Sequence, residues 1–90
     1  MMLRMVLFCV YDVKAEVYFP PFGVGTMGEA VRVFEDLLSD PQGRIGKHPG
    51  DYRLFRVGEF DTETGVVAGR LEGVQLVEDG LRLVKEVASA

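Results

Sequence analysis

Apolar residues fill the opening MMLRMVLFCVY, broken only by Arg4, before the chain turns polar at DVKAE. A run this short and rich in β-branched and aromatic types predicts a buried strand over about Leu3 to Tyr11. It falls short of the ~18 apolar residues a membrane-spanning helix needs, so a soluble protein is expected. Arg4 and the lack of a following small-residue cleavage site argue against a secretory leader. DVKA reads as a turn into a second short strand, Glu16 to Phe19. Pro20 and Pro21 end that strand, since neither has an amide to donate to a ladder. PPFGVGT is then expected to be a surface loop.

Thr26-Met27-Gly28-Glu29 has the form of a capping box, in which hydroxyl and carboxylate satisfy free amides at a helix start. After it Met27, Ala30, Val31, Phe34, Leu37 and Leu38 recur at helical spacing, with Arg32, Glu35 and Asp36 on the opposite side. Ser39-Asp40-Pro41 stops the helix, and QGRIGKHPG is expected to be a loop. Tyr52 to Phe60 predicts a third strand of imperfect alternation. Tyr52, Leu54 and Phe60 fall on one face, Phe55 and Val57 on the other, and Gly58 is placed to host a bulge. DTETG turns the chain into a fourth strand, Val66 to Arg70, forming a hairpin. From Gly73 to Ala90 the pattern is mixed. VQLV resembles a strand, whereas Leu81, Val84, Lys85 and Ala88 repeat helically after Gly80, which favours a short C-terminal helix. The expected fold is therefore a small single α+β domain, residues 1–90, with a mainly antiparallel sheet of about four strands and one central amphipathic helix. No linker, low-complexity tract or internal repeat stands out in the sequence.

Ninety residues bury only roughly 60–65% of the surface their unfolded chain exposes, leaving little room for a deep catalytic cleft. A hydrophobic content of 48% nonetheless supplies enough apolar surface to fold. Cys9 is the single cysteine, which excludes an intrachain disulfide framework and a thiolate metal cluster and fits a reducing intracellular setting. The net charge of −4 disfavours nonspecific attraction to nucleic acid or anionic lipid. Its distribution qualifies that. Arg44, Lys47, Arg53 and Arg56 face Asp51 alone in their segment, a local +3 that leaves −7 on the rest.

GVGTMG has the spacing of a phosphate-binding glycine loop, but two prolines precede it where a strand belongs, and a helix occupies the place of the acidic second strand. A loop feeding a capped helix accounts for it. His48 with Lys47 and Asp51 lacks a nucleophile motif, and no motif supports a Cys9–His48 pair. FDTETG offers Glu59, Asp61 and Glu63 as oxygen donors without the regular spacing of a calcium loop. No cofactor, metal site or catalytic residue is expected, and the protein reads as a nonenzyme. The basic segment carries more weight. Arg44, Lys47, His48, Arg53 and Arg56 are candidate phosphate contacts, with Tyr52 or Phe55 as stacking platforms for single-stranded nucleic acid. On strict alternation Arg53 and Arg56 point to opposite faces unless a bulge intervenes. Around the prolines, Tyr18, Phe19, Pro20, Pro21 and Phe22 form a candidate protein interface, for a second copy of the chain or another partner.

Three blocks, YDVKAEVYFPPF, GEAVRVFEDLLSDP and KHPGDYRLFRVGEFDTETG, occur in this order between Tyr11 and Gly65. Together they resemble the small nonstructural protein of gokushoviruses, the microvirus group of single-stranded DNA bacteriophages. The family pattern runs D-x-K-A-E-x-Y-x-x-P-F, a helix ending in D-P, then K-H-P-x-D-Y-x-L-F-x-x-G-E-F-D. The resemblance implies a noncatalytic, DNA-binding accessory role in genome replication or packaging, in the cytoplasm of the infected bacterial host. It assigns no residue-level site, and the tail after Gly65 departs most from it. Two functions follow as expectations: contact with single-stranded DNA, or an oligomeric module that binds a phage replication, capsid or host protein. No membrane partner is expected.

Overall fold

The computed structural model describes residues 4–83. Two long strands form its spine: β1 (Arg4–Asp12) and β4 (Tyr52–Asp61) pair antiparallel along their whole length, from Arg4 opposite Asp61 to Asp12 opposite Tyr52. One irregularity interrupts the register, where Leu7 and Phe8 face Gly58 and Arg56 and leave Val57 as the extra residue. The bulge expected at Gly58 thus falls at its neighbour. Gly58 answers a different demand, because a Cβ there would lie 2.3 Å from the Ala68 carbonyl oxygen.

Both outer ranks of the sheet are broken strands. Beside β1 run β2 (Val17–Tyr18) and β3 (Phe22–Val24), and beside β4 run β5 (Val67–Gly69) and β6 (Gln75–Asp79), all antiparallel to their partners. The sheet therefore has six strands in four ranks. The prolines explain the first break. They interrupt the ladder between Tyr18 and Phe22, yet the chain rejoins the same edge and Phe22 pairs with Phe8, so the expected loop PPFGVGT contains a strand. An edge rank tolerates this, as its outward amides need no partner. Residues 70–74 bulge out of the second outer rank in the same way.

Helix α1 (Met27–Ser39) begins where the capping signal places it, with the Thr26 hydroxyl accepting the Glu29 amide at 3.2 Å. Its Ala30 and Phe34 pack on Phe8, Val10, Tyr52 and Leu54 of the spine, and Phe8, Phe34 and Leu54 are fully buried. Burial of such side chains contributes ~1.5–3 kcal/mol each. The segment expected to be a loop is instead helical in two short pieces, α2 (Arg44–Lys47) and a 3-10 turn (Pro49–Asp51), because Ile45 turns into the core. Gln75, Leu76 and Val77 of VQLV lie in β6 as a strand, and residues 80–83 start a helical turn. The continuation expected at Val84, Lys85 and Ala88 lies outside the described residues. The α+β class with a mainly antiparallel sheet stands.

No repeat is legible in the sequence, yet the two hairpins turn alike. Asp12 Oδ1 accepts the amides of Lys14 and Ala15, and the Glu16 amide donates to the Asp12 carbonyl. Asp61 Oδ1 accepts those of Glu63 and Thr64, and the Gly65 amide donates to the Asp61 carbonyl. The fifth residue of each turn is left-handed, with φ +58° at Glu16 and +78° at Gly65. Glycine adopts that conformation freely, whereas a side chain there costs ~1–2 kcal/mol.

Glu16→Gly is therefore expected to raise stability by about 0.5–1 kcal/mol, after the added freedom of the unfolded chain is subtracted; Gly65→Ala is expected to lower it. Urea titration decides, and a less stable Glu16→Gly protein refutes the strain account. The two donated amides, Glu63 first and then Thr64, hold the Asp61 carboxyl below the usual carboxylate range. A depressed folded pKa contributes stability above the unfolded value of ~3.9, and that contribution vanishes as pH falls through the folded value. Asp61→Asn keeps the capping oxygen, so its stability should depend less steeply on pH between about 5 and 2 than the native protein's. Equal slopes exclude Asp61 as an acid-sensitive group.

Candidate nucleic-acid interface

Residues opposite each other in an antiparallel pair point to the same side, and successive residues alternate. On the spine this rule separates Phe8, Val10, Leu54 and Tyr52, which meet α1, from Cys9, Tyr11, Phe55 and Arg53, which face away from it. None of the described helices packs on that second face. Three rings gather there. Tyr11 and Tyr18 lie 4.5 Å apart by ring centroids, and Phe55 stands edge-on to both, at 5.9 Å from Tyr11 and 5.5 Å from Tyr18. Three separate strands bring them together: β1 opposite β2 pairs the tyrosines, and β1 opposite β4 sets Phe55 beside Cys9. Tyr18 is 47% exposed, while Tyr11 and Phe55 are half-buried. Arg53, directly across from Tyr11, flanks the cluster, and its Nε lies 3.3 Å from the Asp79 carboxylate.

The five basic candidates occupy three places. Arg53 and Arg56 lie on opposite faces, because β4 runs without an extra residue between them and its bulge comes only after Arg56. Arg56 shares the α1 side with Phe8 and approaches Glu59 at 3.6 Å. Arg44 sits at the far end of the sheet, 3.4 Å from Asp12 Oδ2 and 5.6 Å from the centre of the Phe19 ring. Lys47 and His48 are exposed beside it at the end of α2. The backbone links this end to the first hairpin turn, as the Val13 amide donates to the Asp51 carbonyl.

Of the two stacking candidates, Tyr52 is a core residue, 4% exposed and in contact with Phe19 at 6.0 Å. Phe55 has a face open to solvent. The proposed protein interface divides in the same manner. Tyr18, Pro20 and Pro21 are exposed, whereas Phe19 and Phe22 pack against the core, Phe22 at 6.1 Å from Phe8. Alternation along the edge rank sends neighbouring aromatics to different sides. Tyr11 and Tyr18 were thus missing from the stacking set; only the strand register joins them to Phe55.

Cys9, Asp61 and the GVGTMG segment, weighed for catalysis, metal ligation and phosphate binding in turn, are placed by the fold. Cys9 is buried in mid-strand, and burial pushes its thiol pKa up, which keeps it protonated and unreactive. Asp61 caps its turn. Gly23 of the GVGTMG segment lies in edge strand β3, antiparallel to β1, and Gly28 in the first turn of α1, an arrangement unlike a parallel phosphate-binding unit.

Neither the search of curated proteins nor that of solved structures returns a match. The family model described as Phage ORF5 protein matches residues 5–82, from the second described residue of β1 through β6 into the helical turn after it. The match spans both hairpins and the helix between them, and the chain belongs to this bacteriophage protein family.

Proposed function

We propose that this phage protein is a noncatalytic accessory factor that contacts single-stranded DNA during genome replication or packaging in the infected cell, using the face of its sheet opposite α1. The ring cluster of Tyr11, Tyr18 and Phe55 carries the reading. Aromatic platforms bind unpaired bases without sequence preference, at about 1–3 kcal/mol per stacked base. Arg53 stands at the rim, where it can exchange its Asp79 partner for a phosphate, and Lys14 is exposed in the adjoining turn. The resemblance to gokushovirus nonstructural proteins supports the same ligand. With a net charge of −4, stacking must contribute more to binding than charge does.

Fluorescence anisotropy with a labelled oligothymidylate across a salt series tests this. Native protein is expected to bind with a shallow salt dependence, Tyr18→Ala to weaken binding roughly tenfold, and Arg53→Gln to reduce the salt slope by about one. Absence of binding at low salt, or equal affinity of Tyr18→Ala, would falsify the proposal.

A second reading, a module that binds its own copies or a phage replication or capsid protein, draws on a different surface. Val66, Val67, Leu71, Val74 and Leu76 are all about half exposed or more along the outer rank of the second hairpin. That edge carries no proline, unlike the edge at Pro20 and Pro21. Sedimentation velocity over a concentration series is expected to show self-association that persists in high salt and is lost in Val67→Lys. A concentration-independent monomer argues against the homo-oligomer.

A further inference from the structure

We infer that the cleft between β4 and β5, on the α1 side of the sheet, is a binding site for a phosphate group. It encloses about 260 Å³ and is lined by Arg56, Gly58, Glu59, Gly69, Arg70 and Glu72, among others. Arg56 of β4 and Arg70, the residue after β5, both line it, brought to one place by the antiparallel pairing of β4 with β5 and by the Arg70 amide donating to the Val57 carbonyl. Arginine presents a planar fork of donors that matches phosphate oxygens, and charge-assisted contacts of this kind are among the strong hydrogen bonds.

The two arginines differ in how well they are satisfied. Arg70 is held in place: its Nε donates to the Gly73 carbonyl at 2.9 Å and its Nη2 to Glu72 at 3.0 Å. Arg56 is not. Its Nε–H is buried without an acceptor among the described residues, and its Nη2 is 3.6 Å from Glu59. A buried charged donor left unmatched is costly, so Arg56 gains an acceptor by turning to an oxyanion in the cleft it lines.

The carboxylates that neutralise the cleft can leave. Glu72 is 79% exposed, so its pair with Arg70 is screened and weakly held. Glu59 has a second partner in Arg4, at 3.2 Å, and stays balanced when Arg56 turns to an anion. The cleft lies on the opposite face from the ring cluster, so the inference does not depend on the DNA reading.

Arginine Nε–Hε resonances of the ¹⁵N-labelled chain, followed during titration with inorganic phosphate against chloride at matched ionic strength, provide the test. The signals of Arg56 and Arg70 are expected to shift and saturate with phosphate alone, Arg70→Gln to abolish the Arg56 shift, and Glu72→Gln to tighten binding about two- to fivefold. Shifts no larger than those with chloride overturn the site. Should Arg70→Gln fail to fold, the Glu72→Gln arm still decides, and unchanged affinity there counts against the site. Thymidine 5′-monophosphate and a 5′-hydroxyl oligothymidylate separate the sources. Saturation by the monoester alone assigns a free or terminal phosphate, and saturation by both assigns strand phosphates. Loss of DNA binding in Tyr18→Ala with the phosphate shift intact keeps this site apart from the open face.

Discussion

The pairing of β1 with β4 is the constraint on which the other features depend. The two strands are separated in sequence by a hairpin rank, a helix and two short helical turns, so their ladder closes a long loop whose entropy other contacts must offset. Burial supplies that compensation. Phe8 and Leu54 are fully enclosed with Phe34 of α1 above them, and each such side chain contributes ~1.5–3 kcal/mol when removed from water. Once the ladder forms in this register, every other residue along it is assigned a face.

That assignment produces an asymmetric domain. One face is closed by α1 and Ile45 of α2 and serves stability. The other presents aromatic and apolar side chains with no described helix over them, an arrangement an antiparallel sheet permits but seldom leaves this aromatic. Charge is divided with equal consequence. Arg44 is paired with Asp12, Arg53 with Asp79 and Arg56 loosely with Glu59, so the local +3 of the sequence spreads over two faces and one end of the sheet. A continuous cationic track for nucleic acid is therefore absent from this segment, and stacking carries the proposed contact.

The edges of the sheet are handled unequally. On the first hairpin Pro20 and Pro21 interrupt the outer rank, while the second hairpin breaks its outer rank with residues 70–74 and leaves apolar residues around them in solvent. Interruption of an edge strand discourages pairing with another chain. On the second hairpin the interruption also opens the cleft lined by Arg56 and Arg70.

Much of this was readable from local pattern. Helix α1 and its Thr26 cap, the long strands and the second hairpin follow from periodicity and short-range hydrogen bonding, which act over a few residues, whereas the opposed directions of Arg53 and Arg56 were left open until the register placed the bulge after Arg56. The strand after the prolines escaped notice because Pro-Pro marks a break, and only a neighbour, β1, can draw the chain back to the edge. The helical pieces near Ile45 and the burial of Tyr52 were likewise decided by the core they enter. The ring cluster of Tyr11, Tyr18 and Phe55 depends on register between strands distant in sequence. The sequence by itself determined where the long strands and helix α1 lie and which side chains could do chemistry. Only the tertiary structure decided which of them share a surface, because strand register is set by the packing of the whole sheet.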